Sequence, residues 1–321
     1  MCNDDELDAG WGDDGDDGDD AGVGGRAATQ AGKGGARGRE QVRARAAPAR
    51  AAARAGMVAP AAQPGATVRT TATGAMTGWQ PPEVRAVPNE MVRCALFRVA
   101  NPVRPRATYQ AYALPVQAAR DGVIEYTGCE LRQDDRAVFL ELLSLEPRSP
   151  GRAVFRPRVV CEAMGWGRSN TALAHLKDCL ARLATARLLF RKIARLKVDQ
   201  FSVSLVGAVG EDQGVMVVEL DSAVRPLFAG NYFTRILRAH HDGLNRRSYL
   251  AAWLLGYYAS HREPLATTVA ALQALCGDDD TPAKEFRRKL SDALAQLQAV
   301  GFLASYTMPG RGEQQVLVVR A

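Results

Sequence analysis

"TPAKEFRRKLSDALAQLQAVGFL", residues 281–303, decides the fold, because it holds a helix start, a sharply two-sided helix and the entry to a strand. With Phe286 at 0° and about 100° per residue, Leu290, Ala293, Leu294 and Leu297 gather into one arc that must be buried. Lys284, Arg288, Ser291 and Ala295 then face away, with Arg287 on the flank. Thr281 is the expected N-cap and Pro282 the expected first helical residue, a position that needs no N–H. The charge sits at the wrong end. Unpaired N–H groups already make a helix N-terminus positive, so Lys284, Arg287, Arg288 and Lys289 against a single Glu285 are locally unfavourable. A bound polyanion would supply the missing charge. Long cations in the first turns with small residues behind them suit a helix in the major groove, where the first turns meet phosphates and base edges. The competing expectation is an exposed helix with a solvated basic face.

Working backwards, the same arrangement recurs. Adding 114 carries Leu176, Leu180, Leu183, Leu188 and Leu189 onto Leu290, Leu294, Leu297, Phe302 and Leu303. In the first copy, "DDRAVFLELLSL" (134–145) opens with two acids, where the helix dipole prefers them, and spaces Val138, Leu142 and Leu145 as a helix. "RAVFRPRVVCEAMGW" then reads as a strand running into a short helix. "SNTALAHLKDCLARLATARLLF" (169–190) reads as a helix capped by Ser169 or Asn170, and two strands follow around the turn "GEDQG". In the second copy the order is "RRSYLAAWLLGYYASH", "TTVAALQALCG", the opening stretch, then "GFLASYTM" and "QQVLVVRA" around "PGRGE". Five apolar matches at one offset in similar surroundings indicate a duplicated unit. Helices followed by a hairpin are the order of a winged helix, so the expected fold is α+β, two tandem winged-helix domains at 79–222 and 223–321.

The outward side of the first copy's helix is polar rather than basic. Asn170, Thr171, Ala174, Asp178 and Ala181 face out, flanked by His175, Lys177 and Arg182, with Arg168 just before. This unit either contacts DNA through Arg168, Asn170 and Thr171, with Arg191, Lys192, Arg195 and Lys197 adding phosphate contacts, or serves as an interaction platform. Upstream, "RATYQAYALPVQ" and "GVIEYTGCEL" alternate as strands.

Charge agrees with the patterning. Residues 1–70 carry nine basic and eleven acidic side chains, leaving a net +8 of the chain's +6 in residues 71–321, the part that looks folded. Residues 1–78, with "DDGDDGDDAGVGG" and "RGREQVRARAAPARAAARAG", hold too few large apolar residues to offset the entropy of ordering, and a disordered tail is expected. That tail acts as a solvated linker, folds back on itself, or becomes helical on DNA. The 321-residue chain has no run of 18 apolar residues and no apolar segment behind a basic one near its start, so a cytoplasmic protein is expected. Six cysteines without a CxxC pair fit reduced thiols, and neither a metal nor a cofactor is expected.

Seven stretches in one order, "VPNEMVRCALFRVAN", "IEYTGCELRQDD", "CEAMGW", "CLARLATA", "PLFAGNYFT", "SHREP" and "LCGDDDT", resemble the TrfA family of broad-host-range plasmid replication initiators. The resemblance implies two tandem winged helices that bind direct repeats, called iterons, in double-stranded origin DNA. It also implies help in melting an adjacent AT-rich region and recruitment of host DnaA and the replicative helicase; a homodimer with the monomer as the DNA-binding form is a further partner to test. A "QLSLF"-type sliding-clamp peptide is absent, and "TGAMTGWQPPEVRA" stands in its place, which argues against a direct clamp contact.

Two other function classes compete with this one. A nicking enzyme needs a His-hydrophobic-His pair and a tyrosine nucleophile, yet His240 and His241 are adjacent, His175 and His261 stand alone, and Tyr257 and Tyr258 lie in a helix-core pattern. Without a GxxxxGK[ST] loop an ATPase is not expected either, so the protein reads as a non-enzyme. A winged-helix transcriptional repressor or copy-number regulator would use the same groove-reading residues, Thr281, Lys284, Arg287, Arg288 and Ser291. Two non-identical modules in one chain favour an initiator spanning a long repeat.

Overall fold

The computed structural model describes residues 83–101, 104–116, 122–192, 199–308 and 315–321. The tail expected over 1–78, Arg195, Lys197 and the turn at 309–313 lie outside the described residues. The fold is mixed α and β.

Two sets of elements follow one another along the chain in a similar order. One set of elements is α2 (Gln133–Leu145), β6 (Arg152–Phe155), α3 (Pro157–Ala163), α4 (Asn170–Thr185), β9 (Val206–Asp212) and β10 (Val215–Leu220), with an antiparallel sheet in the order β6-β10-β9. The other is α6 (Tyr249–Ala259), β12 (Thr267–Thr268), α7 (Val269–Cys276), α8 (Ala283–Ala299), β13 (Leu303–Thr307) and β14 (Gln315–Arg320), with the order β12-β14-β13. In both, the strand between the first two helices pairs with the last strand of the hairpin. Leu176, Leu180 and Leu183 of α4 and Leu290, Leu294 and Leu297 of α8 are all buried at equivalent positions. The "GEDQG" turn joins β9 to β10 through Gln213 and Gly214, both at positive φ (47° and 75°), the backbone that a two-residue hairpin turn with right-handed strand twist requires.

One predicted helix is too long. The apolar run reads on through Phe190, but α4 stops at Thr185 and Ala186 turns extended. Residues Arg187–Arg191 form β7, a central strand of the sheet β3-β4-β7-β8, between β4 (Val123–Cys129) and β8 (Gln200–Ser204), with β3 (Thr108–Ala113) at one edge. Leu188 and Phe190 point into the core and their neighbours do not, so the burial period switches from 3.6 to 2 within an unbroken apolar run that propensity cannot divide. The 114-residue offset therefore matches β7 to the start of β13, although β7 serves a different sheet.

The two repeats share one apolar core that runs without a break from Ala86 to Val318. β1 (Val84–Pro88), at the start of the described chain, pairs antiparallel with β11 (Phe233–Leu237), which leads into the second repeat. Arg85 of β1 reaches Glu141 of α2 at 2.7 Å, both largely buried. α6 is apolar on nearly every side, as a helix enclosed by both repeats must be. Against it, Arg136 of α2 donates to the Ala252 carbonyl at 2.7 Å, and burial lowers the Arg136 pKa to about 10. Tyr257 and Tyr258 are 1% exposed, in the packing role expected of them. Among the described residues no helix is long and apolar enough to cross a membrane.

Gly256 sits where Arg136 enters this interface. A Cβ there would lie 2.2 Å from Arg136 Nη2 and 3.2 Å from Val92 Cγ1. Glycine to alanine inside a helix ordinarily gains about 1 kcal/mol. The guanidinium here is buried and held by the Ala252 carbonyl and Gln133, so it moves only by giving up those bonds, and overpacking costs about 1–3 kcal/mol. Gly256→Ala is therefore expected to destabilise by about 1 kcal/mol in urea unfolding, reversing the usual sign.

Candidate nucleic-acid interface

α8 buries Phe286, Leu290, Ala293, Leu294 and Leu297, the arc drawn from its sequence. Lys284, Arg288 and Ala295 are exposed, and Arg287 and Ser291 are partly so. The helix start differs from expectation. Pro282 is the N-cap, with extended backbone and no side-chain cap, and Ala283 is the first helical residue. Thr281 does other work: its N–H donates to Asp278 Oδ1 at 3.1 Å, its carbonyl accepts from Gln273 Nε2 at 2.7 Å, and its hydroxyl accepts from Lys289 Nζ at 3.0 Å. The preceding loop ends α7 at Gly277, whose left-handed backbone (φ 71°) closes the helix. Asp279 and Asp280 of that loop pair with Arg98 and Arg104.

The electrostatic mismatch is smaller than the stretch alone implied. Lys289 meets Glu285 at 3.3 Å and Arg288 meets Asp292 at 3.2 Å, each one helical turn away. Both pairs are exposed, and such pairs contribute about 0–1 kcal/mol, so they exchange readily for a stronger anion. Lys284 has no ion pair among the described residues.

α4 presents a different surface. Ser169 caps it, accepting from the Ala172 N–H at 3.1 Å. Asn170 and Thr171 are exposed, and Asn170 Oδ1 accepts from Arg158 at 2.9 Å. Arg168 pairs with Glu162 at 2.7 Å, Lys177 with Glu211 of β9 at 2.8 Å, and Arg191 with Glu125 at 2.8 Å. Lys192 is exposed at φ 58°. Arg168, Lys177 and Arg191 are matched locally by acids, whereas Lys192 and, on α8, Lys284 have no ion pair among the described residues.

Arg182 and His175 turn away from the outward face. Arg182 Nε donates to Asp135 Oδ1 at 2.8 Å, and His175 Nε2 stands 3.3 Å from Asp134 Oδ2. Arg106 bridges the two carboxylates at 2.6 and 2.7 Å. Asp135 is fully buried and also accepts from the Arg132 N–H at 2.8 Å, which caps α2. Burial opposes ionisation of Asp134, but the charge and hydrogen bond of Arg106 outweigh it and hold the carboxyl below its usual range. Burial and then the Asp134 charge push Asp135 upward, so the two titrate as a pair. Burial and the two carboxylates push the Cys179 thiol far up.

This combination of repeated helices, hairpins and a one-sided basic helix has known relatives. The family model for TrfA protein matches residues 73–308. The chain belongs to the TrfA family. It is 29% identical over 233 residues to the plasmid replication initiator protein TrfA of Escherichia coli, covering 70% of this chain and 59% of that protein. The chain thus spans less than two thirds of that relative's length. Among solved structures, a crystal structure of domains 2 and 3 of RctB is 14% identical, with a TM-score of 0.49 and coverage of 73% of this chain and 98% of that one. A second RctB structure of the same domains gives 12% identity and a TM-score of 0.44, covering 71% and 95%.

In this TrfA-family chain, residues outside the predicted set join the repeats. Arg238 donates to the Ala163 carbonyl at 2.9 Å and Arg246 to the Gly165 carbonyl at 2.7 Å, placing two cations at the C-terminal end of α3, where the helix dipole favours them. Arg158, exposed beside Asn170, also went unnoticed, because nothing in the sequence marks which carbonyl or amide a surface arginine will meet. Asp135→Asn keeps the shape of its side chain but leaves Arg106 and Arg182 short of buried counter-charge. A loss of about 3–5 kcal/mol is expected in denaturant unfolding.

Proposed function

We infer that this TrfA-family chain is a plasmid replication initiator that binds direct repeats of double-stranded origin DNA, and that its two helix-and-hairpin repeats are winged-helix domains, at about 79–222 and 223–321. The observation that carries this reading is the outward edge of α8. Lys284 and Arg288 stand at its exposed N-terminal end, Ser291 and Ala295 follow on the same side, and the opposite arc is sealed in the core. DNA phosphate gives Lys284 the anion it lacks and replaces the weak Arg288–Asp292 pair. Arg287 and Ser291 flank the same approach.

α4 has the auxiliary role. Asn170 and Thr171 are its groove-facing candidates, with Arg168, Lys177, Arg191 and Lys192 near the backbone. The acidic turn of its hairpin, Glu211 and Asp212, does not suit a phosphate, so the second repeat carries most of the affinity. Host DnaA, the replicative helicase and a dimer that dissociates to bind DNA belong to the same proposal, as do opening of an adjacent AT-rich stretch, a cytoplasmic location and the lack of enzymatic activity.

Binding to DNA carrying direct repeats from the cognate replicon, followed against salt, tests the assignment. Each lost phosphate contact flattens the slope of log K against log[salt] by about 0.9. Lys284→Ala is expected to behave in this way. If Arg288 instead reads a base, Arg288→Ala costs about 1–3 kcal/mol and relaxes preference at one base pair. Unchanged affinity and slope in the double variant would overturn α8 as the reading helix.

A further inference from the structure

His175 and Cys179 lie one turn apart on the same face of α4, and Asp134 reaches them from the first turn of α2. Their ligand atoms all fall within 4.8 Å of one another. Nε2 of His175 is 3.3 Å from Asp134 Oδ2, and the Cys179 sulfur is 4.0 Å from each of them. We propose that Asp134, His175 and Cys179 form a binding site for a divalent transition metal of the zinc class.

The spacing fits that ion. Zinc bonds of about 2.0–2.1 Å to nitrogen, about 2.3 Å to sulfur and about 2.0–2.2 Å to oxygen, at tetrahedral angles, put nitrogen and oxygen about 3.4 Å apart and sulfur about 3.6 Å from either. The nitrogen–oxygen separation is already there, and the sulfur has about 0.4 Å to close. A second observation concerns the other oxygen of the same carboxylate. Asp134 Oδ1 is buried and has no hydrogen-bond partner among the described residues, so the carboxylate keeps an unused acceptor in the interior. A cavity of about 250 Å³ adjoins Asp134 and His175, lined also by Arg98, Arg106, Arg132, Arg182 and Tyr249, with room for water.

Arg106, which donates to Asp134 Oδ2 at 2.6 Å, and Arg182 stand against a cation here, but Asp135 also holds both guanidiniums, at 2.7 and 2.8 Å. The four arginines of the cavity wall, Arg98, Arg106, Arg132 and Arg182, are balanced by Asp279, Asp134, Asp135 and Glu130, so the cluster sums to zero. Binding transfers the Cys179 thiol proton to solvent, and the thiolate with a divalent ion leaves the cluster at +1. Arg182 Nη2, 3.1 Å from the sulfur, then donates to the thiolate, and the Trp166 ring, 4.6 Å from that of His175, holds the imidazole in place. The nitrogen, sulfur and oxygen set excludes magnesium and calcium, which take oxygen alone. A bound ion would clamp the start of α2 to the middle of α4.

The test is Co²⁺ titration of the full-length protein after chelator dialysis. One equivalent is expected to produce sulfur-to-cobalt charge transfer in the near ultraviolet and visible bands of a tetrahedral ion, both displaced by Zn²⁺. Cys179→Ser is expected to abolish the charge-transfer band. His175→Ala is expected to weaken binding by more than the roughly 10–100-fold that loss of an outer hydrogen-bond partner costs. Circular dichroism and thermal melting of each variant in the metal-free state separate lost ligation from lost folding. Absence of the bands at stoichiometric Co²⁺, or their persistence in both folded variants, would overturn the site.

Discussion

The buried carboxylate of Asp135 is the constraint on which the first repeat is organised. It accepts at once from Arg106, ahead of β3, from Arg182 late in α4, and from the Arg132 N–H that opens α2. A fully enclosed charge tolerates little displacement of its partners, because each lost donor leaves desolvation uncompensated. Three segments far apart in sequence therefore have one relative placement. The contribution is more to uniqueness of packing than to net stability, since apolar groups of equal volume can fill such a space without desolvation.

The same principle joins the repeats, with less charge. Among the described residues Arg136 makes no ion pair; it crosses from α2 to a backbone carbonyl of α6 and is steadied by Gln133 Oε1 of its own helix at 3.0 Å. Around it the core passes from one repeat to the other without interruption. β1 binds to β11, so the first described residues belong structurally with the entrance to the second repeat. Arg238 and Arg246 close the outer edge of this junction by taking up carbonyls at the end of α3.

How much of this could be read from residues alone depends on the range of the interaction. The buried arc of α8, a turn within "GEDQG", and the apolar leucines of α4 and α8 are local patterns, and the structure contains them as read. What escaped is tertiary. Asp134 and Asp135 look like ordinary acids at a helix start, yet their partners Arg106 and Arg182 lie 28 or more residues away. Arg182 and His175 flank the outward side on a helical wheel, yet both turn to carboxylates of α2, partners that the wheel does not contain. β7 was hidden because "RLLFR" continues an apolar run, and only the strands on either side of it reveal its period. Thr281 has the right chemistry for a cap, but Asp278, Gln273 and Lys289 use its groups first.

The junction at Arg136 bears on how such a protein changes over generations. Since the helices of both repeats rest on one continuous interior, a substitution that altered their mutual setting would disturb residues on both sides of it. Drift is left with the rims: the few side chains standing clear of the core on α4 and α8 can be exchanged one by one while the frame beneath them stays put. New preferences would then arise by re-lettering those rims, and divergence between relatives would concentrate there rather than in the geometry that carries them.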